Sequence, residues 1–156
     1  MRCLENRVPP PLLMLIIGLA MAPAITPQLP YAAPWQWLLC ALLVLAGVVV
    51  VSLALRAFVQ HKTTVNPLQP ARATSLVSSG IFARSRNPMY LAMVCFLTAW
   101  ALLGGWQWQW LGPALFTAHI QCFQIAPEER AMLQLFGRDY QEYTAAVPRW
   151  WRWRTK

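Results

Sequence analysis

The chain has 156 residues, 58% of them hydrophobic and 12% charged, with a net charge of +8. A soluble domain carries about 25% charged residues, so this composition excludes an ordinary soluble globular protein and points to a membrane protein. The four cysteines, Cys3, Cys40, Cys95 and Cys122, show neither a CxxC metal pattern nor a disulfide framework, which leaves reduced, structural thiols and no metal site.

No Asp, Glu, Lys or Arg occurs from Val8 to Leu55 or from Asn87 to Pro127. Each run is about twice the roughly 20 apolar residues that a helix needs to cross the hydrocarbon core. Pro27, Pro30 and Pro34 interrupt the first run and Gly104-Gly105 the second, and both residue types stop helices. The pattern predicts an all-α, polytopic membrane helical bundle with four transmembrane helices, Leu12 to Ile25, Trp35 to Val59, Pro88 to Leu103 and Trp108 to Ala126, followed by a cytoplasmic amphipathic C-terminal helix. Residues 1–62 then form an N-terminal two-span hairpin and residues 63–156 a second region, within one integral domain. A cleaved signal peptide is the rival reading of the first span, because Arg2 and Arg7 precede an apolar stretch ending in small residues such as Ala20 and Ala22.

All thirteen Lys and Arg residues fall in the N-terminal tail, between Arg56 and Arg86, or in the C-terminal region, and the two hairpin turns carry none. By the positive-inside rule both termini and the central segment are cytoplasmic. The excess positive charge does not point to nucleic acid, since it flanks spans and alternates with tryptophan, as in Arg149-Trp-Trp-Arg-Trp-Arg154. Trp and Arg at a span end anchor a chain at the headgroups, which makes membrane lipids the expected partner.

In the central segment, Pro67 and Pro70 predict an extended strap over the cytoplasmic mouth, and Ser78-Ser79-Gly80 a turn before the chain re-enters the membrane. Asn87-Pro88 reads as a helix start, with Asn as N-cap and Pro at the first helical position. The free N–H groups there, with Arg84 and Arg86, also suit a carboxylate or phosphate. Along the fourth span Thr117, Gln121, Gln124 and Glu128 make one polar stripe, which should face protein or a water-filled cavity. His119 lies nearly opposite and reads as a packing histidine. Pro127-Glu128-Glu129 has the form of a second helix start with acids in its first turn. Two adjacent carboxylates at the lipid boundary are costly without partners, so a cationic ligand or ribose hydroxyls are the competing explanation. Beyond them Met132, Phe136, Tyr140 and Tyr143 share a face, with Arg130, Gln134, Arg138 and Gln141 elsewhere, and Gly137 marks either a costly helical position or a break between two short helices.

Taken together, Thr63-Thr-Val-Asn-Pro67, Gly80, the Arg-Asn-Pro-Met-Tyr of residues 86 to 90, Glu128-Glu129, Phe136-Gly137, Tyr140, Tyr143 and Val147-Pro-Arg149 resemble the integral membrane methyltransferases related to isoprenylcysteine carboxyl methyltransferase, which are similar to the phospholipid methyltransferases. The resemblance covers Thr63 to Trp151. It implies an S-adenosylmethionine-dependent enzyme transferring a methyl group to a lipophilic small-molecule or lipid-modified acceptor at the cytoplasmic membrane face. Arg86, Asn87, Pro88 and Tyr90 would hold the cofactor, Glu128 and Glu129 would contact its ribose or charged groups, and Arg149 would meet an acidic substrate, with Arg149 and Glu128 as the catalytic pair. Asn87 stands where eukaryotic members usually have His and bacterial relatives often carry Asn, which points to a bacterial inner membrane. Phe82 and Ala83 replace a Tyr and an Arg of many relatives, so a phenol and one cationic contact are missing. The alternatives are an NADPH-dependent reductase similar to the steroid 5-alpha reductases and a non-catalytic membrane scaffold. Neither the acceptor nor the oligomeric state is encoded in these motifs.

Overall fold

The computed structural model describes residues 8–61, 75–104 and 108–152, so the expected strap around Pro67 and Pro70 and the outermost tails lie outside the described residues. The described residues are helical with no strand: α1 Pro10–Ile25, α2 Pro34–Gln60, α3 Pro88–Leu103, α4 Leu111–Ile120 and α5 Ala126–Ala146. Among the described residues, two segments are long and apolar enough to cross a membrane. They are Pro10–Tyr31, with 22 residues and mean hydropathy 1.9, and Pro34–Gln60, with 27 residues and mean hydropathy 3.0. The first runs further than the expected end at Ile25, because the chain tightens into a 3₁₀ segment, Thr26–Tyr31, that accommodates Pro27 and Pro30. α3 has 16 residues, about 24 Å at 1.5 Å per residue.

α3 is the centre of the bundle. α2 packs along it, and α1 packs against α3 and α4, so the N-terminal pair is held through α3. Gln36 stitches the start of α2 to the end of α3, its Nε2 donating to the Leu102 carbonyl at 2.8 Å and its Oε1 accepting from the Ala33 N–H at 2.7 Å. Trp100 Nε1 donates to the Gly18 carbonyl at 3.1 Å and ties α1 down. Met21, Ile25, Leu97, Phe116 and Ile120 fill the core between α1, α3 and α4. Leu19, Leu38, Leu45 and Val59 are exposed on α1 and α2, a distribution that a hydrocarbon solvent explains and water does not.

At Gly47 the Phe96 ring of α3 leaves no room for a side chain on α2: a Cβ there would sit 2.5 Å from that ring. Gly47→Ala is therefore expected to lose about 1–3 kcal/mol by overpacking. Gly18→Ala, whose Cβ would meet only Leu97 at 3.8 Å, should unfold thermally in detergent like the unaltered protein. Equal melting of the two variants would contradict this packing.

Two expected helix starts take a different form. The fourth apolar segment opens with a 3₁₀ turn, Trp108–Trp110, and only then becomes α4. Pro127, Glu128 and Glu129 stand in the first turn of α5 as expected, but that start is not a free end, because Ile120, Gln121, Ile125 and Ala126 all keep right-handed helical dihedrals and α4 passes into α5 through a π-helical turn, Gln121–Ile125. Pro127 has no N–H to continue the ladder, and the wider turn just before it accommodates that loss. Glu128 and Glu129 thus sit inside a continuous helical run rather than at a free N-terminus. Of the two readings of Gly137 the structure adopts the break, with φ +49° and ψ −117° inside α5.

Candidate active site

Gly80, with φ +61°, turns the chain into a 3₁₀ segment, Gly80–Ala83, that leads to Arg84 and the start of α3. Only a residue without Cβ takes that backbone at no steric cost. Phe82 is buried and meets Phe58 of α2 edge to face, with ring centroids 5.1 Å apart. Tyr143 O–H donates to the Phe82 carbonyl at 2.8 Å and brings the end of α5 over this turn.

The result is a cleft of about 140 Å³ with two characters. Phe58, Leu76, Val77, Phe82 and Met132 form its apolar wall. Arg86, Asn87, Glu128, Glu129, Tyr140 and Tyr143 form its polar one. Burial pushes the Tyr140 and Tyr143 hydroxyls up from their ordinary range, so both stay protonated.

Glu129 is the hub. Its Oε1 accepts from Arg86 Nη1 at 2.9 Å and from Arg149 Nε at 2.9 Å, and its Oε2 accepts from Arg149 Nη2 at 2.6 Å. Arg86 Nε, although buried, has no hydrogen-bond partner among the described residues. Glu128 faces different groups. Tyr90 O–H donates to its Oε1 at 2.5 Å and Gln124 Nε2 to the same oxygen at 3.1 Å. Desolvation pushes the Glu128 carboxyl up to about 7; the bonds from Tyr90 and Gln124 oppose that rise and the charge of Glu129 adds to it.

Of the residues singled out in the sequence, Arg86, Asn87, Glu128 and Glu129 share the cleft wall. Pro88 and Tyr90 are buried in the first turn of α3 off that wall, Tyr90 reaching Glu128 with its hydroxyl. Arg149 is engaged with Glu129. Asn87 occupies the N-cap position of α3, but its side chain does not cap the helix. Its Nδ2 donates instead to the Arg149 carbonyl at 3.0 Å, because the C-terminal segment lies within reach. The expected polar stripe divides: Gln124 and Glu128 bond each other, whereas Thr117 Oγ1 donates to the Pro113 carbonyl of its own helix. His119 is half-buried against Phe123, with ring centroids 4.8 Å apart. Sequence reasoning missed Phe58, hidden inside an apolar span, and Ser85, whose burial only the fold reveals.

The described residues thus form an all-α protein with two helices apolar enough to cross a membrane and a charged cleft beside an apolar wall. The phospholipid methyltransferase family profile matches residues 35–139, more than half of the chain. The chain belongs to that family. It is also similar to an uncharacterized protein of Haemophilus influenzae, 42% identical over 62 residues that cover 40% of this chain and 98% of that protein. No solved structure matches.

Proposed function

We propose that this protein is an S-adenosylmethionine-dependent methyltransferase acting on a lipophilic acceptor, an isoprenylcysteine-like carboxylate or a lipid amine, at the cytoplasmic membrane face. In this reading α1 to α4 provide four crossings with both termini cytoplasmic. The observation that carries the proposal is the meeting of Arg86, Asn87, Glu128 and Glu129 on one cleft, with the buried Arg86 Nε still lacking an acceptor.

The donor set fits the cofactor. Arg86 and the first turn of α3, which no side chain caps, supply positive potential for the methionyl carboxylate. Glu128 and Glu129 supply acceptors for ribose hydroxyls or for cationic groups. When bound, S-adenosylmethionine supplies an electrophilic methyl group on a sulfonium. The chain's own residues then work by positioning: the Glu129 hub fixes Arg86, Tyr90 and Gln124 fix Glu128, and Phe58, Val77 and Phe82 exclude water from the reacting atoms. Arg149, expected to meet an acidic substrate, acts in this geometry through Glu129.

Calorimetry on the detergent-purified protein with S-adenosylmethionine and, separately, NADPH tests the proposal. Micromolar binding of the first is the expected result, followed by transfer of label from its methyl group into a membrane lipid extract. Binding of NADPH alone would replace the methyltransferase with a reductase.

A further inference from the structure

We infer that Ser85 is a positioning residue of this site, fastening the C-terminal segment 147–152 so that Arg149 holds Glu129 and, through it, Arg86. Ser85 lies between two arginines on a turn, where a serine is ordinarily solvated, yet its exposure is 0%. Both capacities of its hydroxyl are used: it donates to the Arg149 carbonyl at 3.3 Å and accepts from the Asn87 N–H at 3.1 Å. Asn87 Nδ2 grips the same carbonyl.

Backbone bonds flank this grip on either side. Arg86 N–H donates to the Pro148 carbonyl at 3.1 Å, and Arg152 N–H donates to the Arg84 carbonyl at 2.8 Å. The two segments therefore run antiparallel, with the Arg149 carbonyl held between these bonds by side chains from the opposite segment. The side chain of Arg149 then reaches Glu129, which carries Arg86 on Oε1. These contacts close a ring that returns along the chain from Arg86 to Ser85. Ser85 is absent from the cleft wall, so it acts on bound ligand only through the others.

Only the affinity readout of the test rests on the proposed cofactor. In the full-length protein in detergent, Ser85→Ala leaves the Asn87 N–H without its acceptor and the Arg149 carbonyl with one donor fewer. Arg152→Pro is the second variant: at a partly exposed position it removes the backbone donor to the Arg84 carbonyl and, with the side chain, the Nη1 bond to the Ala146 carbonyl, and it disturbs no fully buried side chain. Both variants should speed amide hydrogen exchange in a peptide spanning residues 147–152, by about tenfold for Ser85→Ala, and that variant should bind S-adenosylmethionine about tenfold more weakly. Unchanged exchange in Ser85→Ala overturns the inference whatever Arg152→Pro shows, and faster exchange in Arg152→Pro confirms that the readout reports this segment. Faster exchange with unchanged affinity also overturns it, since Ser85 would then serve stability alone. If the unaltered protein does not bind S-adenosylmethionine, the cofactor proposal fails while hydrogen exchange still decides whether Ser85 fastens the segment.

Discussion

Replacing Glu129 by Ala is expected to weaken S-adenosylmethionine binding by about a hundredfold and to destabilise the protein by about 2–3 kcal/mol. The size of the effect follows from what Glu129 neutralises. It carries two guanidinium groups, Arg86 at 12% side-chain exposure and Arg149 at 40%, and is itself 20% exposed. Removing one member of a buried pair typically costs about 3–5 kcal/mol, because the partner is left charged and unpaired. Water reaching Arg149 reduces that figure here. Arg86, at 12% exposure, has no such access to water, so in Glu129→Ala its guanidinium is left charged and without its carboxylate partner. Glu129→Gln should recover part of the stability but less of the affinity, since an amide keeps the shape and loses the charge. Titration calorimetry and thermal unfolding of the three proteins in one detergent check both effects. Affinity preserved in Glu129→Ala would remove Glu129 from the binding site.

Where local chemistry decides a structure, the sequence is legible. α2 begins at Pro34, next to the expected Trp35, and α3 begins at Pro88 as expected, because a proline that opens an apolar run sets φ and gives up no useful donor. The same logic places Pro127 in the first turn of α5 but does not show that this start is joined to α4. There the preceding residues continue the helix through a π-turn, a choice set by packing, since Gln124 and Ile125 are buried in that turn. Asn87 sits at its N-cap position but spends its amide on a carbonyl far away in sequence, a partner that no local rule can supply. The acidic pair was visible as unusual. Its division of labour was not, because Glu128 meets Tyr90 while Glu129 meets two arginines only once α3, α5 and the C-terminal segment have converged. The absence of charge between Asn87 and Pro127 had already implied that convergence in outline, since a chain that crosses and returns brings its two polar ends together.

Glu128 should make both stability and ligand affinity depend on pH between about 4.5 and 7. Burial pushes its carboxyl up to about 7 in the fold, against 4.5 for an unperturbed glutamate. Between those values the folded protein keeps a proton that the unfolded chain has released, so the unfolded state binds fewer protons and stability falls as pH rises. The contribution is fully present below 4.5 and is gone once the pH has passed through 7. Its size is about 2 kcal/mol, below the value for a fully buried group because the residue is partly exposed. Glu128→Gln, neutral at every pH, should flatten this part of the profile. Tyr90→Phe should move it upward, because the hydroxyl that it deletes favours the charged carboxylate. Affinity for the sulfonium cofactor should run in the opposite sense. The carboxylate attracts a cation and the acid does not, so binding weakens below about pH 7, with proton release on binding at that pH. Calorimetry in buffers of different ionisation enthalpy reads the proton release directly. A binding profile that is identical in the unaltered protein and in Glu128→Gln would show that Glu128 faces the cleft without contacting the ligand, and would leave Glu129 as the acidic contact.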